Sequence, residues 1–265
     1  MEKLEKTLVW VLLVVVLGIF GTIGYFYLAG SEEAPPIPEA TQLTEETLPT
    51  ETQEVPETMA APGPIRVACL GDSITYGHGI SSRSENSYPA KLGALLGEDY
   101  LVENFGVPGA TAQDTGDQPI RKEQAYEDCL AFDGDIVILM LGTNDSKPDN
   151  WAGEKPFREA LLALLTQLRE GENPPQIWLC TPASAFYKWG KWGSTTSFDI
   201  QPEVVAEIAA IVREVAETEG YPLIDIHSLT AENQDWFKTD GVHPDKAGAA
   251  AIAQAVYGAL TEAQS

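Results

Sequence analysis

Residues 65–265 predict an α/β fold, one parallel sheet with helices on both of its faces. Three observations lead there. Short apolar runs alternate with amphipathic stretches from Ile65 onward, and strand–helix alternation builds parallel sheets. The run Asp135-Ile136-Val137-Ile138-Leu139-Met140-Leu141 is apolar at successive residues, as a strand buried on both faces is. Polar clusters also fall just beyond the apolar runs, where an open α/β sheet binds its ligands.

In chain order, the first element precedes the domain. Residues 7–28 contain no charge, and roughly 20 apolar residues span a bilayer. A cleaved signal peptide has a shorter core of about 7–15 residues, and Leu28-Ala29-Gly30-Ser31 is a weak cleavage site. Trp10 and the Tyr25, Phe26, Tyr27 cluster sit near the two ends of the run, as interfacial aromatics do. Lys3 and Lys6 precede it and no basic residue follows until Arg66. Residues 1–30 are therefore expected to be a cytoplasmic tip and a single transmembrane helix in the cell membrane, with the N-terminus inside and the rest extracellular. The alternative is secretion after signal cleavage, which a mature N-terminus near Ser31 would establish.

Residues 31–64 are rich in Glu, Thr and Pro and hold no Lys or Arg. Such a segment buries too little surface to offset its ordering entropy and is expected to be a disordered linker. Extended at about 3.1 Å per residue, it would reach roughly 100 Å. Its eight glutamates carry −8 of the net charge of −24, and the four charges before the apolar run cancel, so residues 65–265 carry −16. That balance argues against nucleic acid as a partner, because phosphate binding needs Lys/Arg clusters. The three cysteines, Cys69, Cys129 and Cys180, are far apart and lack metal-ligand spacing. They read as buried thiols.

The domain of residues 65–265 has room for about 200 residues in one unit, and no internal repeat is visible. Its candidate strands are 65–70, 100–105, 135–141, 176–181 and 222–226. Its candidate helices are 87–97, 118–130, 156–170, 202–219 and 245–262. In 202–219, Val204, Val205, Ile208, Ile211, Val212 and Val215 recur at helical spacing between Pro202 and Gly220.

Four polar clusters follow this frame. Gly71-Asp72-Ser73-Ile74-Thr75 follows the first strand, and Asn104-Phe105-Gly106-Val107-Pro108-Gly109-Ala110-Thr111 closes the second. Gly142-Thr143-Asn144-Asp145 follows the third, and Asp240-Gly241-Val242-His243-Pro244 precedes the last helix. Parallel strands place their carboxyl ends together, so all four can gather on one edge.

In these four blocks, in this order, the chain resembles the SGNH, or GDSL, hydrolases over about residues 65–262. The resemblance implies a three-layer α/β/α, flavodoxin-like fold and ester hydrolysis. Carried over by position, Ser73 matches the nucleophile, Gly106 and Asn144 the oxyanion donors, and Asp240 and His243 the rest of the triad. The stretch around Ser73 is not the Gly-x-Ser-x-Gly elbow of the α/β-hydrolases.

The chemistry can be reasoned without the resemblance. A serine hydroxyl attacks only when a base takes its proton, and histidine suits that role because imidazole ordinarily titrates at about 6.5. Asp240, three residues before His243, is close enough in sequence for a tight loop to fold its carboxylate onto the ring. Pro244 is expected to start the following helix. The N–H of Ser73, the N–H of Gly106 and the Asn144 amide are candidate donors to an oxyanion. Blander readings exist for each: Ser73 as a helix cap, Asn144 and Asp145 as turn residues, His243 as an ordinary helix-start histidine. A rival base and acid are His227 and Asp225, which would share a face if their strand runs on. His78 is a rim or turn residue and a candidate substrate contact.

The loop Phe186-Tyr187-Lys188-Trp189-Gly190-Lys191-Trp192-Gly193 follows the fourth strand. Trp189 and Trp192 are candidates there for stacking on sugar rings or lining an acyl pocket. The stretch Asp145-Ser146-Lys147-Pro148-Asp149-Asn150-Trp151 is similar to the carbohydrate-acetylesterase branch of the family, including sialate O-acetylesterase-like members. No long apolar lid segment is visible. The expectation is a serine esterase cleaving short acyl esters, acetyl foremost, on small-molecule or glycan substrates through an acyl-enzyme, with no metal or cofactor. The near alternative is a lysophospholipase- or thioesterase-like acylhydrolase. The remoter ones are a flavin-binding flavodoxin-like protein and a non-catalytic surface-glycan binder.

Overall fold

The computed structural model describes residues 63–188 and 196–263. The expected transmembrane segment, nearly all of the linker, and Trp189 and Trp192 lie outside the described residues. Among the described residues, no helix is long and apolar enough to cross a membrane.

Five strands form one sheet in the order β2-β1-β3-β4-β5, with every pairing parallel. They are β1 (Ile65–Gly71), β2 (Tyr100–Gly106), β3 (Ile136–Met140), β4 (Gln176–Cys180) and β5 (Leu223–Ile224). This is the flavodoxin-like order, whose switch point lies between β1 and β3. All five residues of β3 are buried, because strands flank it and helices cover both faces.

The helices are α1 (Ser73–Tyr76), α2 (Arg83–Asn86), α3 (Tyr88–Leu96), α4 (Gln124–Ala131), α5 (Glu154–Leu168), α6 (Pro202–Glu219), α7 (Ile226–Thr230) and α8 (Lys246–Glu262). Alternate residues of each central strand face opposite layers. Ala68, Leu70, Val137 and Leu139 pack with α4, α5 and α6 through Cys129, Phe157, Leu164, Ile208 and Val212. Val67, Cys69, Ile136 and Ile138 pack with α3 and α8 through Tyr88, Leu92, Ile252 and Val256. The three-layer architecture follows from this two-sided burial.

Several boundaries differ from the expected ones. The stretch 118–130 divides into a 3-10 turn at Ile120–Lys122 and α4. The last strand keeps only two residues, and Asp225 then caps α7 by accepting from Ser228 N. Pro244 does not open the final helix. Asp245 caps α8, its carboxylate accepting from Ala247 N and Gly248 N, as a short acceptor side chain does at an N-cap.

The three cysteines are free and buried. Burial pushes the Cys129 and Cys180 thiols up to about 12, so neither is a thiolate nucleophile near neutrality.

Candidate active site

The strand ends assemble the site. β1 ends at Gly71, and the chain turns at once into α1, whose first residue is Ser73. Asp72 is the cap: its Oδ1 accepts from Ile74 N at 2.8 Å. The capping work open to Ser73 therefore falls to its neighbour, and the Ser73 hydroxyl is left for another partner. That partner is His243, with Nε2 2.9 Å from Ser73 Oγ. The two residues are 170 positions apart in sequence.

His243 is held from behind. Its Nδ1 lies 3.0 Å from Asp240 Oδ2. The other oxygen of Asp240 accepts from the backbone N–H of Val242 at 2.8 Å and of His243 at 2.9 Å. Burial raises the Asp240 carboxyl, but the hydrogen bonds from the His243 ring and from these two N–H groups outweigh it and hold it down at about 2. An ionised Asp240 fixes the ring orientation and favours the proton on Nδ1. The loop is tight enough to need a glycine. Gly241 has φ 72°, and a Cβ there would run into the backbone of Phe186, whose N–H donates to Gly241 O at 2.8 Å.

The candidate oxyanion donors lie at the ends of β2 and β3. Asn144 is buried, and one N–H of its amide donates to Ala110 O at 3.1 Å. An amide carries a second N–H. Next to it, Asp145 is fully buried and accepts from Ala112 N at 3.0 Å and Gln113 N at 2.9 Å. These contacts hold the loop after β2 against the end of β3. Gly106 is engaged differently from the sequence expectation. Its N–H donates to Asn104 Oδ1 at 2.9 Å, while Asn104 Nδ2 donates to Thr75 O at 2.9 Å. Gly106 also needs to lack a Cβ for packing reasons, since a Cβ there would collide with the backbone of Tyr76.

Burial raises two carboxyls behind this edge, Asp72 and Asp145, to about 6 each. For Asp145, the charge of Asp72 adds to that rise.

The remaining candidates separate clearly. The exposed His78 reaches the site, its ring centroid 4.6 Å from that of His243. Lys238 Nζ donates to His78 O, and Lys238 N donates to His243 O at 2.9 Å, so Lys238 ties the two loops together. His227 does not reach Ser73, whose hydroxyl is bonded to His243. It sits on α7 rather than on a strand, and Asp225 binds Arg213 through two hydrogen bonds of 2.9 Å. A cleft of about 360 Å³ lined by Cys129, Asp133, Gln167 and Glu170 opens at the amino-terminal edge of the sheet, away from these residues.

Sequence reasoning missed two residues here. Asn104 stands two positions before Gly106, and an Asn side chain bonding two residues on is a legible local pattern. Phe198, whose ring centroid is 5.3 Å from that of His243, lies in a stretch with no periodicity to mark it.

With this geometry in place, the comparisons with known proteins become specific. The chain matches the GDSL-like Lipase/Acylhydrolase family profile over residues 69–251. An acetylxylan esterase from Xylanibacter ruminicola is 39% identical over 214 residues, which are 74% of this chain and 43% of that protein. The chain thus spans less than half the length of that relative. Among solved structures, the aryl esterase of M. smegmatis has a TM-score of 0.64 at 21% identity, covering 75% of this chain and 99% of its own. A carbohydrate acetylesterase from Sinorhizobium meliloti has a TM-score of 0.62 at 18% identity, covering 76% and 100%. These two likenesses concern the fold. The profile match is of another kind, for it takes in all four strand-end blocks, and by it the chain belongs to the GDSL-like lipase/acylhydrolase family.

Proposed function

We propose that this family member is a serine esterase that removes short acyl groups, acetyl foremost, from carbohydrate hydroxyls. One observation carries the mechanism. Ser73 Oγ, His243 Nε2, His243 Nδ1 and Asp240 Oδ2 form a continuous chain with links of 2.9 and 3.0 Å.

In the proposed reaction, His243 Nε2 takes the Ser73 proton as Oγ attacks the acyl carbon. The imidazolium that forms is stabilised by Asp240, which stays ionised down to about pH 2. The tetrahedral oxyanion is received by Ser73 N–H and the second N–H of Asn144. Gly106 N–H joins them on exchanging Asn104 Oδ1 for the oxyanion. His243 then protonates the alcohol oxygen and the sugar leaves, with the acyl group on Ser73. Water, deprotonated by the same imidazole, releases the acid and restores the serine.

Support for the carbohydrate and the acetyl group comes from the acetylxylan esterase relative and from the carbohydrate acetylesterase that shares the fold. The test is labelling with an organophosphorus serine reagent, together with a side-by-side panel of acetylated sugars and longer acyl esters. The expected result is one label on Ser73 and faster turnover of the acetylated sugars. An unlabelled Ser73 would sink the mechanism, and a preference for long acyl chains would sink the substrate class.

A further inference from the structure

The catalytic imidazole has an aromatic neighbour that none of the mechanism uses. Phe198 stands edge-on to His243, with ring centroids 5.3 Å apart and an interplanar angle of 78°. It is 56% exposed, the most exposed of the large hydrophobic side chains among the described residues. A single exposed apolar residue is ordinary on a protein surface. This one is not an ordinary surface position, for two reasons.

First, the backbone holds it there at a cost. Phe198 and Asp199 have φ values of 57° and 58°. Bulky residues avoid that left-handed region, and non-glycine residues kept in it concentrate at functional sites. Second, the turn is fastened on both sides of the active site. Ile200 N donates to Ser197 O at 3.1 Å, and both residues are buried. Ile200 packs with Val205 and with Val242, the residue before His243. Gln201 N donates to Ser146 Oγ at 3.2 Å, and Gln201 Nε2 donates to Ser146 O at 2.6 Å, which ties the turn to the segment that begins with Asn144. An apolar ring is thus presented to solvent from a turn tied to the His243 side through Ile200 and to the Asn144 side through Gln201.

Its position decides which part of an ester it can meet. The leaving alcohol takes its proton from His243 Nε2, so the alcohol lies beside the neighbours of His243, while the acyl group lies toward the oxyanion donors. A pyranose offers a face of C–H groups that suits an aromatic face, and aromatic rings supply a large apolar contact at little entropic cost. We propose that Phe198 is a specificity-determining residue that stacks on the sugar ring of the leaving group, selecting the alcohol rather than the acyl chain. The inference rests on the carbohydrate esterase reading above.

The experiment compares wild type, Phe198→Ala and Phe198→Trp on an acetylated xylo-oligosaccharide and on ethyl acetate, which share the acyl group and differ in the alcohol. The readout is the ratio of kcat/KM for the sugar ester to kcat/KM for ethyl acetate. Phe198→Ala is expected to lower that ratio about tenfold, chiefly through KM, the size of losing one aromatic contact. Phe198→Trp is expected to keep it. If the ratio holds in Phe198→Ala, with both rates falling together or neither falling, the inference is overturned, because Phe198 then only supports His243 or does nothing. If wild type itself prefers ethyl acetate, the carbohydrate reading fails and takes this inference with it. A wild type that prefers the sugar ester beside a Phe198→Ala variant that retains the preference defeats this inference alone.

Discussion

Two Asp–His pairs lie on this domain within 20 residues of each other, and they have opposite fates. Asp240 and His243 are three apart, and their loop closes so that carboxylate and ring meet at 3.0 Å with the ring aimed at Ser73. Asp225 and His227 are two apart, and their side chains part company. Asp225 accepts from Arg213 twice, from Thr181 Oγ1 at 3.0 Å and from Ser228 Oγ at 2.7 Å. Burial raises its carboxyl, and these hydrogen bonds more than reverse the effect, leaving it well below the ordinary range. Both aspartates are therefore held ionised. One orients the imidazole that meets Ser73, while the other clasps α6 to the end of β5 and caps α7. A low carboxyl pKa is common to both pairs and does not tell them apart. The groups facing each carboxylate do.

The largest effect that would break this comparison is catalytic. His243→Ala is expected to lower kcat by roughly 10⁴-fold or more, as removal of a triad base does. His227→Ala should stay within about twofold, read by initial rates on one acetyl ester. If the His227 variant is the inactive one, the pairs have been assigned in reverse. A smaller effect tests the donor side. Asn144→Ala is expected to cost about 10²–10³ in kcat with little change in KM. A loss confined to KM would make Asn144 a ground-state contact.

The smallest effect concerns stability and belongs to the other pair. Asp225→Asn should lower unfolding stability at pH 7 by about 1–2 kcal/mol, a modest figure because the Arg213 pair is partly open to solvent. Its pH dependence has a definite sign. A carboxyl depressed in the folded state stabilises above its unfolded value of about 3.9, and that contribution is lost as pH falls. The gap between the urea midpoints of wild type and Asp225→Asn should thus stay constant from pH 7 to about 4.5 and close as pH falls further, below the unfolded value of about 3.9. A gap independent of pH would mean that the variant acts through packing instead of charge.

Some of this molecule is legible residue by residue. The five strands and the main helices show in the sequence because burial imposes a period, as in the unbroken apolar run of β3 and the heptad-like spacing in α6. The strand-end position of Ser73 and the tight Asp240–His243 loop are also local matters, set within a few residues. The errors are local signals overridden by a competing partner, one adjacent and one distant in sequence. Pro244 looked like a helix start, yet Asp245 two residues before Ala247 makes the better cap. Residues 222–226 looked like a full strand, but Arg213 and Thr181 recruit Asp225 and the chain turns into α7. Both overriding groups in that second case are distant in sequence and close in space.

By itself, the sequence determined the α/β class, the buried central strand, the four polar clusters and their family resemblance, because each is written in composition and short spacings. Only the tertiary structure decided that His243 and not His227 meets Ser73, that Asp145 holds the loop after β2 against the end of β3, and that Phe198 stands beside the His243 ring. Those outcomes depend on contacts between segments up to 170 residues apart. Such contacts exist only once the sheet has brought its strand ends together, and no local period or spacing encodes them.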